Sequence, residues 1–138
     1  MTSYDVSATS RPGGSATLEV FERALRFDAS AERDRIYPGP AELLCGALAA
    51  CILKNVERFS QVLPFRYEGA RVHVVAERQD SPPRFTRFTY RLELVTDEAP
   101  RRVDLLHRNV RKYGAVSGTL GEAAELVGEL VVVASIDD

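Results

Sequence analysis

Residues 38–61 read PGPAELLCGALAACILKNVERFSQ, and the fold turns on them. Pro40 at a helix start forfeits no hydrogen bond, and Glu42 in the first turn complements the positive end of the helix dipole. Leu43 to Leu53 is 11 residues without a charge. A helix here is apolar on every side and has to be enclosed on all its faces. Gly46, Ala47, Ala49 and Ala50 keep it slim enough for another backbone to approach closely. The stretch is roughly half of the ~20 residues that a membrane span needs, so it reads as a core helix.

The segments around this helix are strand-like. Thr17 to Asp28 mixes β-branched and aromatic residues with charges and suits a strand pair at a sheet edge. The polar stretch 1–14, with Arg11-Pro12-Gly13-Gly14, reads as loop and tight turn, and 29–37 as loop. Downstream, Val72, Val74 and Ala76 alternate with Arg71, His73 and Glu77. Phe88, Tyr90, Leu92 and Leu94 alternate with Arg87, Thr89, Arg91 and Glu93. Period-two patterns of this length predict half-buried antiparallel strands joined through Asp80-Ser81-Pro82-Pro83. Val103, Leu106, Val110 and Tyr113 mark the apolar stripe of a second helix, Pro100 to Tyr113. Gly114, Gly118 and Gly121 then predict turns, with a short helix at Glu122–Leu126, and Leu130 to Ala134 a last buried strand. Strands that do not alternate one-for-one with helices favour α+β with an antiparallel sheet. One such sheet cannot enclose the greasy helix alone, so a second copy of the chain is expected as a homodimer.

The 138 residues are 45% hydrophobic and 28% charged, with a net charge of −2. That suits a single domain, 1–138, with a core of its own. Long polar or single-sign tracts are absent, which excludes a disordered chain. No apolar segment follows a basic start at the N-terminus, so no signal peptide is visible and a cytoplasmic location is expected. Among 18 basic residues only Lys54 and Lys112 are lysine. The acidic balance gives no global field for nucleic acid or anionic lipid. Arg101, Arg108, Arg111 and Lys112 make one face of the second helix basic, and in a net acidic chain without a nucleic-acid motif this reads as a solvated face.

Chemistry concentrates at Cys51. Two cysteines are too few for a disulfide framework, and Cys45 and Cys51 lack zinc-site partners. Along a helix they project about 240° apart and their Cα atoms are separated by more than the ~7 Å that a disulfide tolerates. A reactive thiol needs help to ionise. Lys54, at i+3, is the nearest cation in sequence, and Arg11 or Arg35 can be brought from a flexible, polar segment. His73 and His107 have no second ligand nearby, so no metal or other cofactor is expected. Ser117 lacks the setting of a hydrolase nucleophile, and the glycines from Gly114 to Gly121 are not spaced as a phosphate loop.

The stretch GPAELLCGALAACILKNVERF resembles the helix signature of the OsmC/Ohr superfamily, the osmotically inducible and organic hydroperoxide resistance proteins. It has the proline, the acidic residue, the leucine pair and the Ala/Gly-rich run ending in cysteine. Arg84-Phe85 with its strand, the helix ending in Lys112-Tyr113, and Val116-Ser117 follow in the order that the resemblance requires. The resemblance implies an OsmC-like α+β fold, an antiparallel sheet with a long buried central helix, in an intertwined homodimer with thiol sites near the subunit interface. It implies that Cys51 attacks a hydroperoxide to give a sulfenic acid, with Arg11 as the match for the arginine that orients the thiolate. Two departures stand out. Gly114 occupies the place of the resolving cysteine and Ala115 that of its proline. Ala41 occupies the place of the orienting glutamate, while Glu42 lies about 180° around the helix from position 51. Two functions remain open. One is a thiol-dependent peroxidase reducing apolar organic hydroperoxides through Cys51, with an external thiol as resolver. The other is a non-catalytic relative that binds apolar small molecules, with Cys51 as a packing residue. Neither involves nucleic acid or membrane.

Overall fold

The computed structural model describes residues 1–136 of the chain, which divides into two compact units, one of residues Met1–Leu44 and one beginning at Cys45. The first is an antiparallel meander of β1 (Ser7–Ser10), β2 (Ser15–Val20) and β3 (Arg23–Asp28). The β1–β2 turn is closed by Arg11 N donating to Ser15 O and Gly14 N donating to Arg11 O, both at 3.0 Å. Gly14 has φ +98°, and a β-carbon there would lie 2.3 Å from the Ser30 backbone. Phe21 and Glu22 form the β2–β3 turn with φ of 50° and 60°, as a two-residue hairpin matching the strand twist requires. After β3 the chain is held by Asp28. Its carboxylate accepts from Ser30 N at 2.8 Å, from Ser30 Oγ at 2.5 Å and from Asp34 N at 3.1 Å. The Ser30 hydroxyl and the backbone amides hold this carboxyl below its ordinary range.

Helix α1 (Pro40–Val62) begins at the predicted proline. Glu42 Oε1 accepts from Gly39 N at 2.9 Å and Oε2 from Arg33 Nη2 at 2.7 Å. The carboxylate thus satisfies an amide that the first helical turn leaves open, and the Gly39 amide is the first cause of its lowered pKa.

The second unit holds β4 (Gly69–Asp80), β5 (Pro83–Val95), α2 (Pro100–Tyr113), α3 (Ala115–Ala123) and β6 (Glu125–Val132), with sheet order β4-β5-β6. β4 and β5 are antiparallel, but β6 runs parallel to β5. Two helices separate β5 from β6, and a crossover of that length returns the chain in the same direction. The core is one face of β5 (Phe88, Tyr90, Leu92, Leu94) together with Leu48, Ile52, Val56 and Phe59 of α1 and Val103, Leu106 and Val110 of α2. Spacings of four, four and three residues place the α1 set on one helix face. Gly46, Ala47, Ala50 and Leu53, by contrast, are exposed. Within the second unit the helix is enclosed on one side.

Three sequence expectations need correction. β1 was hidden in polar, wholly exposed Ser7–Ser10. Gly118 and Gly121 do not break the chain into turns: both lie inside α3, which ends at Ala123 and replaces the helix expected at Glu122–Leu126. β6 starts at Glu125, earlier than the expected Leu130, because Gly128 interrupts the apolar pattern without interrupting the strand. Gly128 pairs with Tyr90 in register, and a β-carbon on it would lie 2.0 Å from the Tyr90 ring. The aromatic ring supplies the cover that this glycine lacks.

Tyr90 also ends in a polar contact, its hydroxyl 2.6 Å from His107 Nε2 with the rings edge to face. Burial raises the Tyr90 hydroxyl to about 12 and lowers the His107 pKa. Both shifts favour the neutral forms, which share one hydrogen between the hydroxyl oxygen and Nε2.

Gly128→Ala should lower stability by about 2 kcal/mol, the range for overfilling a packed core. Gly118→Ala, where a β-carbon meets nothing within 4 Å, should be neutral or raise stability by up to ~1 kcal/mol. Denaturant melts of both variants check the pair.

Candidate functional site

Cys51 lies midway along α1 with its side chain half-buried, and neither cysteine is in a disulfide. Three neighbours define the surroundings of its sulfur. Asn55, one turn on, donates from Nδ2 to Cys51 O at 2.8 Å and points the same nitrogen at Sγ from 3.6 Å. An amide nitrogen carries two hydrogens, so both contacts can be made at once. Ser117 in α3 places its Oγ 3.7 Å from Sγ. Asn55 and Ser117 are 7% and 4% exposed.

Gly114 is the third neighbour. It caps the N-terminus of α3 and has φ −77° and ψ 124°, a conformation open to any residue. What demands glycine is room, since a β-carbon would lie 2.9 Å from Cys51 Sγ, 3.0 Å from Ser117 Oγ and 3.3 Å from Val110 O. The first turn of α3, with amides that have no partner inside the helix, thus starts beside the thiol. The cap has no side-chain hydrogen bond.

The other expected site residues are placed as follows. Arg11 is exposed in the β1–β2 turn of the first unit, its Nη1 donating to Ser10 O at 3.3 Å. Arg35, with φ 60°, lines an open cavity of about 510 Å³ with Arg33, Ile36, Tyr37 and Glu42. Glu42 is engaged with Gly39 and Arg33. Lys54 is exposed one turn beyond Cys51. His73 is exposed on β4, and His107 is committed to Tyr90. Among the described residues no group of three His, Cys, Asp or Glu side chains is placed to hold a metal, and no helix is long and apolar enough to cross a membrane. The structure therefore gathers Cys51, Asn55, Gly114 and Ser117. Sequence reading singled out Cys51 and Gly114 of these. Asn55 could have been found from its i+4 spacing to Cys51, whereas Ser117, placed in the family order with Val116, comes from a distant segment with no local signal of its contact with the thiol.

A family profile for OsmC-like proteins matches residues 31–127. The chain belongs to the OsmC-like family. Solved structures agree with this OsmC-like assignment. An OsmC-like protein from Mycoplasma pneumoniae superposes with a TM-score of 0.87 at 17% identity, covering 96% of this chain and 98% of that one. An organic hydroperoxide resistance protein OsmC from Legionella pneumophila, described as a predicted redox protein, gives 0.71 at 15% identity over 96% and 98%. The organic hydroperoxide resistance protein OhrB of Bacillus subtilis gives 0.66 at 15% identity over 94% and 98%. At these identities the likeness is one of fold. No curated protein sequence matches the chain.

The room at Gly114 has a direct test. In a disulfide the sulfur of one half lies about 3 Å from the β-carbon of the other, given an S–S bond of ~2.04 Å. The 2.9 Å at position 114 fits that bonded distance. Gly114→Cys should cross-link to Cys51 within one chain under a mild oxidant, read as the loss of two hydrogens by intact mass and reversed by reductant. Failure to cross-link would mean that the thiol does not face position 114.

Proposed function

We propose that this OsmC-like protein is a thiol-dependent peroxidase that reduces organic hydroperoxides through Cys51, with an external thiol as resolver. The observation that carries the reading is the half-buried Cys51 sulfur, lying between the Asn55 amide, the Ser117 hydroxyl and the bare backbone of Gly114. The printed descriptions of the Legionella and Bacillus neighbours as organic hydroperoxide resistance proteins support it. In the reaction the Cys51 thiolate bonds to the distal peroxide oxygen as the O–O bond breaks. The sulfur is oxidised to a sulfenic acid and the peroxide reduced, with the alkoxide leaving as alcohol after taking a proton. No cysteine stands at position 114, so an external thiol condenses with the sulfenic acid, releasing water and leaving a mixed disulfide. A second thiol then exchanges it away and restores Cys51. The cytoplasm, where thiols are kept reduced, is the compartment that supplies them, and the role is one in the oxidative stress response. Arg11 is the cation assigned to orient the thiolate, with Arg35 the alternative.

One observation favours a second reading, a non-catalytic relative that binds apolar small molecules: Glu42 is occupied in capping the helix and pairing Arg33. The two separate cleanly. Wild type treated with an alkyl hydroperoxide should yield a trapped sulfenic acid at Cys51 and thiol-dependent peroxide consumption. Cys51→Ser should abolish both, and Arg11→Ala should slow them. Neither adduct nor consumption in the wild type would leave the binding reading.

The working unit in this proposal is a homodimer. The exposed stripe of Gly46, Ala47, Ala50 and Leu53 on α1 is built of residues small enough for a second helix to approach. A β-carbon on Gly46 meets nothing within 4 Å in one chain. Sedimentation should show a dimer for the wild type and a monomer for Ala50→Glu, which sets a carboxylate in mid-stripe. A monomeric wild type at micromolar concentration removes the dimer.

A further inference from the structure

The Cys51 sulfur is flanked by two buried polar side chains, one from its own helix and one from α3. We infer that Asn55 and Ser117 are the paired hydrogen-bond donors that hold the Cys51 sulfur in its reactive form, at the open first turn of α3. This rests on the peroxidase reading for its place in a cycle, but not for its geometry.

Four observations carry it. Asn55 divides one amide group between the Cys51 carbonyl oxygen at 2.8 Å and the sulfur at 3.6 Å. The first contact fixes the rotamer and so aims the second hydrogen at the sulfur. The Ser117 hydroxyl is more than nine-tenths buried and in hydrogen-bond contact with Cys51 Sγ. A hydroxyl rotates to suit its partner, its oxygen accepting from a thiol and its O–H donating to a thiolate. Ser117 therefore serves both protonation states without moving. The α3 N-terminus adds the backbone amides of an open first turn and the positive end of a helix dipole beside the sulfur. Finally, Gly114 keeps this turn close, because any β-carbon there would displace either the sulfur or the Ser117 hydroxyl. Lys54, the nearest cation in sequence, is exposed to solvent, whereas the two donors are not. Hydrogen bonds to an ionised acceptor are roughly twice as strong as neutral ones. Two such bonds in a partly dry setting do work that a single exposed ammonium does not.

The test measures the rate of Cys51 alkylation by iodoacetamide at fixed, near-neutral pH, in a Cys45→Ser background so that one thiol reports. Ser117→Ala and Asn55→Leu should each alkylate about tenfold more slowly, the loss of one charge-assisted hydrogen bond. The double variant should be slower than either, and Ser117→Thr, which keeps the hydroxyl, should recover most of the rate. Circular dichroism and thermal melts confirm that the fold persists. If Asn55→Leu does not fold, the Ser117 pair decides alone. Unchanged alkylation in the folded donor variants overturns the inference. Wild-type hydroperoxide consumption is measured alongside, so the two ideas fail separately. Slow variants with an inactive wild type leave the donors standing and remove the peroxidase. An active wild type with variants that alkylate as fast does the reverse.

Discussion

The structure depends on the burial of one face of β5. Phe88, Tyr90, Leu92 and Leu94 are all but inaccessible, and β5 is also the strand to which both β4 and β6 pair. The same strand thus supplies the apolar half of the core and the hydrogen-bonding spine of the sheet. Burial of each large side chain is worth about 1.5–3 kcal/mol, which makes this row the strongest constraint in the second unit. α1 and α2 contribute their own apolar faces to this core. The sulfur of Cys51 is presented beside α3 because α1 is held by Leu48, Ile52, Val56 and Phe59, residues that flank it on the helix.

The site follows from that fixed helix. A thiol alone on a buried helix is usually a small hydrophobe. Here it meets two polar side chains that are themselves buried and a glycine whose missing β-carbon leaves the sulfur its room. The site is therefore a meeting of three segments, α1, the α2–α3 junction and α3. Only the first of these carries the OsmC-like helix signature. Glu42 belongs to a different task, closing the start of α1.

Much of the fold could be read from the residues, and what could not has physical reasons. The bounds of α2 and the start of α1 follow from proline and apolar spacing, because both are local signals. The β4–β5 hairpin follows from clean alternation. β6 reads shorter in sequence than it is because Gly128 has no side chain to show that it faces Tyr90, and that contact spans 38 residues of sequence. β1 was missed because a fully exposed edge strand has no apolar period. Its partner β2 defines it through hydrogen bonds that composition does not reveal. At the site, Cys51 stood out by type and helix context, and Gly114 by its departure from the family pattern. Ser117 stood in the family order with Val116, but its place beside the thiol has no local signal, since the contact reaches across two helices.

The solvent face of the second sheet guards against a particular kind of misassembly. Sliding β6 along β5 by one residue would turn its apolar side outward, so burial alone forbids it. A slide of two residues keeps every side chain on its proper face and escapes that check. On this face Arg87 lies between Glu77 of β4 and Glu125 of β6, and Arg91 lies opposite Glu129 of β6 and beside Glu93 of its own strand, with Val75, Thr89 and Val127 as a neutral row between them. Moving β6 by two positions one way would set Val127 against Arg87, Val131 against Arg91 and Leu130 against the Tyr90 ring where Gly128 belongs. Exposed ion pairs add little to stability. Their placement instead acts as a proofreading code for strand alignment, written in charge where hydrophobicity is silent.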